Sequence, residues 1–214
     1  MELEILYEDN HLLAVNKPAG LPTQPSPTDP ESLETACKDF IKQRDHKPGN
    51  VFLHALHRLD KPASGIVLFA KTQKALSRVS AILREKSCVK IYTALVERRV
   101  EPGTIIHYLR HGEHMAEVCS PEAKDAKRAE LIITDIKQIS DDLWELTIRL
   151  LTGRYHQIRA QLSALGVPII GDTKYGSQRS FEPNGIALHH TEMAFQHPVK
   201  TISVLLRSEP TWRK

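Results

Sequence analysis

Apolar residues recur along this chain with two periods, and each period marks a type of element. Leu3–Glu8 and His11–Asn16 read as short strands joined by the turn signal Asp9-Asn10. Lys17-Pro18-Ala19-Gly20 is a tight turn. The stretch after it carries Pro22, Pro25, Pro27 and Pro30, which bars it from helix interiors and central strands because proline donates no amide hydrogen bond. Asp29-Pro30 predicts a helix N-cap followed by proline at the first helical position. Leu33, Ala36, Cys37, Phe40 and Ile41 then fall at i, i+3, i+4, i+7 and i+8, so an amphipathic helix runs to near Arg44.

Ile66–Ala70 is apolar throughout and predicts a buried strand. Thr72 is placed to cap a helix that turns Leu76, Val79, Ile82 and Leu83 inward. Val89–Glu97 alternates, with Tyr92 on the face of Lys90, Ala94 and Val96. Leu131–Ile136 and Leu143–Leu151 read as a hairpin through Ser140-Asp141-Asp142. His156–Leu165 is a helix with Ile158, Leu162 and Leu165 inward, stopped by Gly166 and Pro168. Ile186–Phe195 and Thr201–Leu206 are closing strands. Strands outnumber helices without regular βα alternation, which predicts an α+β fold around a mostly antiparallel or mixed central sheet flanked by helices. With no repeat, low-complexity segment or linker, residues 1–214 are expected to form one domain.

Composition narrows the setting. The 214 residues are 41% apolar and 26% charged, ordinary for a globular chain able to bury a core. Met1–Leu6 lacks the basic and apolar regions of a signal peptide, and the apolar runs are far too short to span a bilayer. Cys37, Cys88 and Cys119 are widely spaced, giving neither a disulfide framework nor a CxxC zinc pair. A cytoplasmic location, no membrane partner and a monomer are the expectation. Among eleven histidines, His54/His57 and His111/His114 are three apart and His189/His190 adjacent, but none accompanies HExxH or Cys/His spacing, so no metal site is expected. The net charge is only +3, yet residues 58–90 hold eight Lys and Arg against two acids, and residues 149–179 hold five against one. Concentrated positive charge of this kind suits a phosphate backbone, although Lys74–Lys86 taken alone reads as a solvated helix face.

Both basic segments contain candidate chemistry. In His57-Arg58-Leu59-Asp60-Lys61-Pro62-Ala63-Ser64-Gly65 one carboxylate follows two potentially cationic side chains and precedes a strand. A lone Asp before Lys-Pro is an ordinary turn residue. Here Arg58 and Asp60 are two apart in extended chain, so both can face one side, and a neighbouring cation keeps a carboxylate ionised, as a nucleophile requires. In Leu151-Thr152-Gly153-Arg154-Tyr155-His156-Gln157-Ile158-Arg159 a strand passes through a glycine turn into a helix start. Helix-start N–H groups with Arg154 and Arg159 attract anions, while a plain glycine turn with exposed basic residues is the competing reading.

These residues resemble a family. The HRLD run with Ser64-Gly65 and Ala70-Lys71 is similar to the active-site motif of the RluA-type pseudouridine synthases, with Ala63 where the family more often has Thr. Thr152-Gly153-Arg154-x-His156-Gln157-Ile158-Arg159, followed by Gly166–Asp172 and Tyr175-Gly176, is similar to a second motif of that family. Further matches lie at Asn16–Leu21 and at Lys90-Ile91-Tyr92-x-Ala94, so the resemblance spans residues 5 to about 206 in the family's own order.

The resemblance implies the pseudouridine synthase catalytic fold and isomerisation of uridine in ribosomal or transfer RNA, without cofactor. It implies that Asp60 is the catalytic aspartate and Tyr92 packs on the target base, as a candidate proton acceptor too. It implies that Arg58 fills the gap left by a flipped nucleotide and that Arg159, in preference to Arg154, pairs with the aspartate. Arg154 is expected to contact RNA. Each of these has a plainer reading: Tyr92 as core, the arginines as phosphate contacts. The S4-type RNA-binding module that often precedes the family's catalytic domain is not expected, since the first strand begins at about Leu3. The alternative function is a non-catalytic RNA-binding or ribosome-assembly protein on the same fold. A glycoside-type hydrolase is disfavoured because it needs a second cooperating carboxylate, and no other acid stands in a comparable motif.

Overall fold

One carboxylate makes the turn predicted at Asp9-Asn10. Asp9 Oδ1 accepts the N–H groups of His11 and Leu12 at 2.8 and 2.9 Å, reversing the chain between β1 (Glu4–Glu8) and β2 (Leu12–Lys17). The two strands pair antiparallel, with a bulge between Ile5 and Tyr7. The computed structural model describes residues 2–27, 29–85 and 87–213. The chain forms two compact units, Met1–Cys88 with His190–Lys214, and Val89–His189.

In the first unit, Asp9 does more than turn a hairpin. Its Oδ2 accepts from His197 Nε2 and Lys200 Nζ, both at 2.9 Å, so the N-terminal turn holds the chain near its other end. Next to it Glu8 takes a two-point contact from Arg44, at 2.7 and 2.8 Å, and a bond from Lys71 Nζ at 2.6 Å. Arg44 closes α1 (Leu33–Arg44), which buries Leu33, Cys37 and Ile41 as its periodicity predicts. The start of α1 differs from the expectation. Ser32, not Asp29, is the N-cap, its Oγ accepting the Thr35 N–H at 3.1 Å. Asp29 is drawn instead to Lys61 Nζ at 2.5 Å, and its backbone bridges Ser26.

β3 (His54–Ala55) and β2 both pair antiparallel with β4 (Ser64–Ala70). All seven residues of β4 are buried, which is why its sequence is a continuous apolar run rather than an alternation. Thr72 caps α2 (Gln73–Arg84) as predicted, accepting from Ala75 N–H, and the helix lays Ala75 and Val79 against Leu12, Ile66 and Leu68.

The second unit is an antiparallel sheet. Its order is β5 (Val89–Val96), β9 (Leu143–Leu150), β8 (Lys127–Ser140), β6 (Gly103–His111) and β7 (Ala116–Cys119). The β8–β9 hairpin lies where Ser140-Asp141-Asp142 marks it. The β6–β7 hairpin was not legible, because β6 is largely exposed and has no clear apolar alternation. One helix, α3 (Gln157–Ala164), follows β9. The two expected closing strands are present as β10 (Leu188–Gln196) and β11 (Ser203–Arg207), and they pair antiparallel. The α+β architecture with a mostly antiparallel sheet therefore stands.

The Glu8 cluster makes stability depend on acid. Hydrogen bonds from Arg44, then from Lys71, hold the Glu8 carboxyl at about 2 against the opposing effect of burial. Because the folded-state pKa is depressed, this contribution is complete above the unfolded value near 4.5 and is lost as pH falls towards 2. Urea midpoints should drop across that window. Glu8→Gln should cost about 1–3 kcal/mol at pH 7 and flatten the acid slope. An unchanged slope would remove Glu8 from the account.

Candidate active site

The loop that carries Asp60 is clamped at its backbone. Thr23 Oγ1 accepts the Leu59 N–H and donates to the Leu59 carbonyl, each at 3.1 Å. The Lys61 carbonyl accepts from Gly20 N–H at 2.9 Å and from Lys17 Nζ at 3.2 Å. Ala63 N–H closes a turn onto the Asp60 carbonyl at 3.1 Å. Leu59 is buried between an exposed Arg58 and a half-buried Asp60, an alternation consistent with extended chain.

His57, one of the two potentially cationic side chains, is used differently. His57 Nε2 accepts the Leu68 N–H at 3.2 Å, so that nitrogen carries a lone pair and the ring is neutral. His57 packs edge-on against His190 at 5.3 Å, and His190 Nδ1 binds the Ile66 carbonyl at 2.7 Å. Both histidines fasten β4.

The cation that matters here is one the sequence reading left without a role. Lys17, at the end of β2, is fully buried and its Nζ donates to the carbonyls of Pro18, Leu21 and Lys61 at 2.9, 2.6 and 3.2 Å. Three acceptors match the three N–H groups of an ammonium. Burial pushes Lys17 down to about 7, and the Asp60 charge pulls it back up. The signal was available: Lys17 ends an apolar strand directly before Pro-Ala-Gly, at a position with no route to solvent. Opposite Lys17 in the β2–β4 register sits Gly65, at φ +112°, where a Cβ would lie 2.5 Å from the His190 backbone N and O. The Ser-Gly of the motif is therefore a packing requirement.

The second motif is held by Gln157. Its side chain accepts from Thr152 Oγ1 at 2.8 Å and from Arg154 N–H at 3.0 Å, and it donates to the Glu130 carbonyl at 3.1 Å. His156 adopts left-handed φ and ψ of 49° and 28° before the helix, with Nδ1 3.0 Å from Tyr175 Oη. On α3, Arg159 is 4% exposed and grips Asp172, 2% exposed, through Nε and Nη2 at 2.7 and 2.8 Å. The Arg159 guanidinium also lies over the Tyr175 ring at 4.9 Å. Sequence reading assigned no role to Asp172 or Tyr175. Arg154 is different in kind: exposed, with Nε donating to the Arg128 carbonyl at 3.1 Å. Tyr92 is buried on β5, opposite Ile148 of β9. Asp60 and Arg58 belong to the first unit, and Tyr92, Arg154 and Arg159 to the second.

Of the basic residues on α2, Lys74, Arg78 and Arg84 are exposed, while Lys86 lies outside the described residues. Among the described residues no group of three or more His, Cys, Asp and Glu is placed to hold a metal ion, and no helix is long and apolar enough to cross a membrane.

If Asp60 holds Lys17 up, Asp60→Asn should move the Lys17 titration downward, below about 7. The 13Cε shift of Lys17 followed against pH reads this directly. An upward or absent change would sever the two groups.

Comparison with known proteins agrees with the motifs. The family described as RNA pseudouridylate synthase matches residues 11–164. The tRNA pseudouridine synthase C of Vibrio parahaemolyticus serotype O3:K6 is 30% identical over 240 residues, covering 100% of this chain and 94% of that protein. The ribosomal large subunit pseudouridine synthase C of Rickettsia prowazekii is 32% identical over 178 residues, covering 81% of this chain and 56% of that protein. Among solved structures, human RNA pseudouridylate synthase domain containing 4 shares the fold at a TM-score of 0.78 and 20% identity, covering 98% of this chain and 89% of that one. With the HRLD loop, the Gln157-stapled turn and these relatives in hand, the chain belongs to the RNA pseudouridylate synthase family and is an RNA-modifying isomerase.

Proposed function

We propose that this pseudouridine synthase isomerises a uridine in structured transfer or ribosomal RNA, with Asp60 as the catalytic group. The observation that carries this is the loop itself. A half-buried carboxylate stands on a backbone fixed by Thr23, Gly20 and Lys17, and is therefore preorganised and still reachable. The relatives named for transfer and ribosomal RNA support the substrate class.

The chemistry asks for little else. The N1–C1′ bond breaks, a C5–C1′ bond forms, and a proton leaves C5 while N1 gains one. Atoms and electrons balance within the uridine, so no cofactor is required. A carboxylate serves either by covalent addition or by taking the C2′ proton. Both routes require the base to leave its stack. In this reading Arg58 occupies the vacated space, Tyr92 packs on the base, Arg154 contacts phosphate, and Arg159 pairs with the catalytic aspartate. A non-catalytic RNA-binding role fits less well, because binding a polyanion gains nothing from a preorganised carboxylate.

Asp60→Asn keeps the shape of the side chain and removes its charge. Pseudouridine formation, read by mass spectrometry of digested RNA, should fall at least about a thousandfold while RNA affinity changes less than tenfold; near-normal turnover would falsify the assignment.

The Arg159 role has its own test. Arg159→Met also strips a buried acid of its partner, which costs about 3–5 kcal/mol when a buried pair is broken. Arg159→Lys keeps the charge and serves as the paired variant. Loss of the cation should move the acid limb of the pH–rate profile upward, and Lys should restore most of it. A limb unmoved in Arg159→Met protein that still folds would assign Arg159 to structure alone.

A further inference from the structure

A cleft of about 390 Å3 opens within the 89–189 unit, lined by residues that include Arg110, His111, Asp125, Lys127, Arg154 and Tyr155. That size is near the small end of the about 300–1,000 Å3 usual for small-ligand sites, enough for one nucleotide and too little for a duplex.

One wall is a column of rings. Buried His156 stacks on Tyr155 at 3.8 Å, and Tyr155 stacks on His111 at 4.3 Å, each pair inclined by 21°. Two near-parallel rings at stacking distance must lie on opposite faces of the phenol between them. Tyr155 is 39% exposed, yet both its faces are occupied. The ring that ends the column is His111, which is exposed. A nucleobase is the natural next member of such a column, because every base presents a π-face.

The charges on the lining fit the rest of a nucleotide. Lys127 is exposed and has no ion pair among the described residues. Arg154 is anchored through Nε on the Arg128 carbonyl, which leaves its terminal nitrogens to reach outward. Arg110 is already committed to Glu117 at 2.7 Å. Asp125 adds a carboxylate, which disfavours a bare inorganic anion and suits a ligand that also offers a hydroxyl donor. The ribose 2′-OH is that donor, and it separates RNA from DNA.

We propose that this cleft binds one unstacked nucleotide of the RNA, distinct from the reacting uridine. Its base stacks on the outer face of His111, its flanking phosphates meet Lys127 and Arg154, and its 2′-OH meets Asp125. The proposal rests on the reading that the chain modifies RNA.

The test is an amide NMR titration of the full chain with single-stranded pentauridylate, its deoxyuridine counterpart, and inorganic phosphate, beside a pseudouridine assay on cellular RNA. Pentauridylate should shift His111, Lys127, Arg154 and Tyr155, and the deoxy strand should bind there at least about fivefold more weakly. His111→Ala and Lys127→Gln should each weaken binding at the cleft by about five- to tenfold. Retained signal dispersion in either variant verifies its fold. Shifts that avoid the cleft, or that phosphate alone reproduces, would overturn the site while the RNA assay stays positive. A wild-type protein that forms no pseudouridine in any RNA overturns the reading beneath it as well.

Discussion

An ammonium ion sealed inside the protein is the constraint on which the Asp60 loop depends. Removing a charge from water costs several kcal/mol even after relaxation, and a protein tolerates it only when every donor is satisfied. Lys17 meets that condition with three carbonyls, two from the turn that follows β2 and one from Lys61 in the Asp60 loop. Separating the loop from the turn would strand a buried cation. The lysine thus converts an electrostatic penalty into a geometric tie between two segments 44 residues apart. The opposite charge of Asp60 favours the protonated form of this tie, so the acid helps to fix the loop that presents it.

The same logic operates in the second unit with different atoms. Arg159 is also buried, and it is gripped by a carboxylate rather than by carbonyls. A two-point guanidinium–carboxylate contact fixes orientation as well as charge, since both N–H groups must align with both oxygens. Tyr175 covers the guanidinium face and also ties the Ala116 N–H and His156. The Thr-Gly-Arg turn and the distant Asp172–Tyr175 stretch therefore form one structural object. This explains why a motif that looks like a phosphate-binding helix start carries its most deeply placed arginine on the inner side of the helix.

What could be read from the chain followed from local causes. Thr72 caps α2 because a hydroxyl before a helical stripe has a near-by amide to accept, and β4 is apolar throughout because both its faces are covered. Where a local signal competed with a distant partner, the distant partner won. Asp29 fits the pattern of a cap, yet Lys61 claims its carboxylate and Ser32 takes the cap. His57 beside Arg58 looks cationic, yet an amide from β4 fixes its neutral form. The catalytic candidates were legible because they sit in long, specific motifs. Lys17, Asp172 and Tyr175 lie within the matched motifs too, but their roles come from contacts with residues distant in the chain, which a motif does not name. β6 escaped for a simpler reason: a mostly exposed strand has little need for an apolar face, so it leaves no period to find.

Exposure sorts the aspartates of this protein by task. Asp9 accepts from two amides, His197, Lys200 and Tyr7, and spends its lone pairs on closing the first hairpin against the C-terminal segment. Asp172 is shut away with Arg159. Neither can approach a substrate as large as RNA without first breaking contacts that hold the fold. Asp60 is half-buried, and the backbone on either side of it is tied down through the carbonyl and amide of Leu59 and the carbonyl of Lys61. Rigidity at Asp60 is thus supplied through the main chain on either side of it. A half-buried carboxylate on a clamped loop differs from two carboxylates that hold the fold together, and this difference supports the proposal that the chemistry belongs to Asp60.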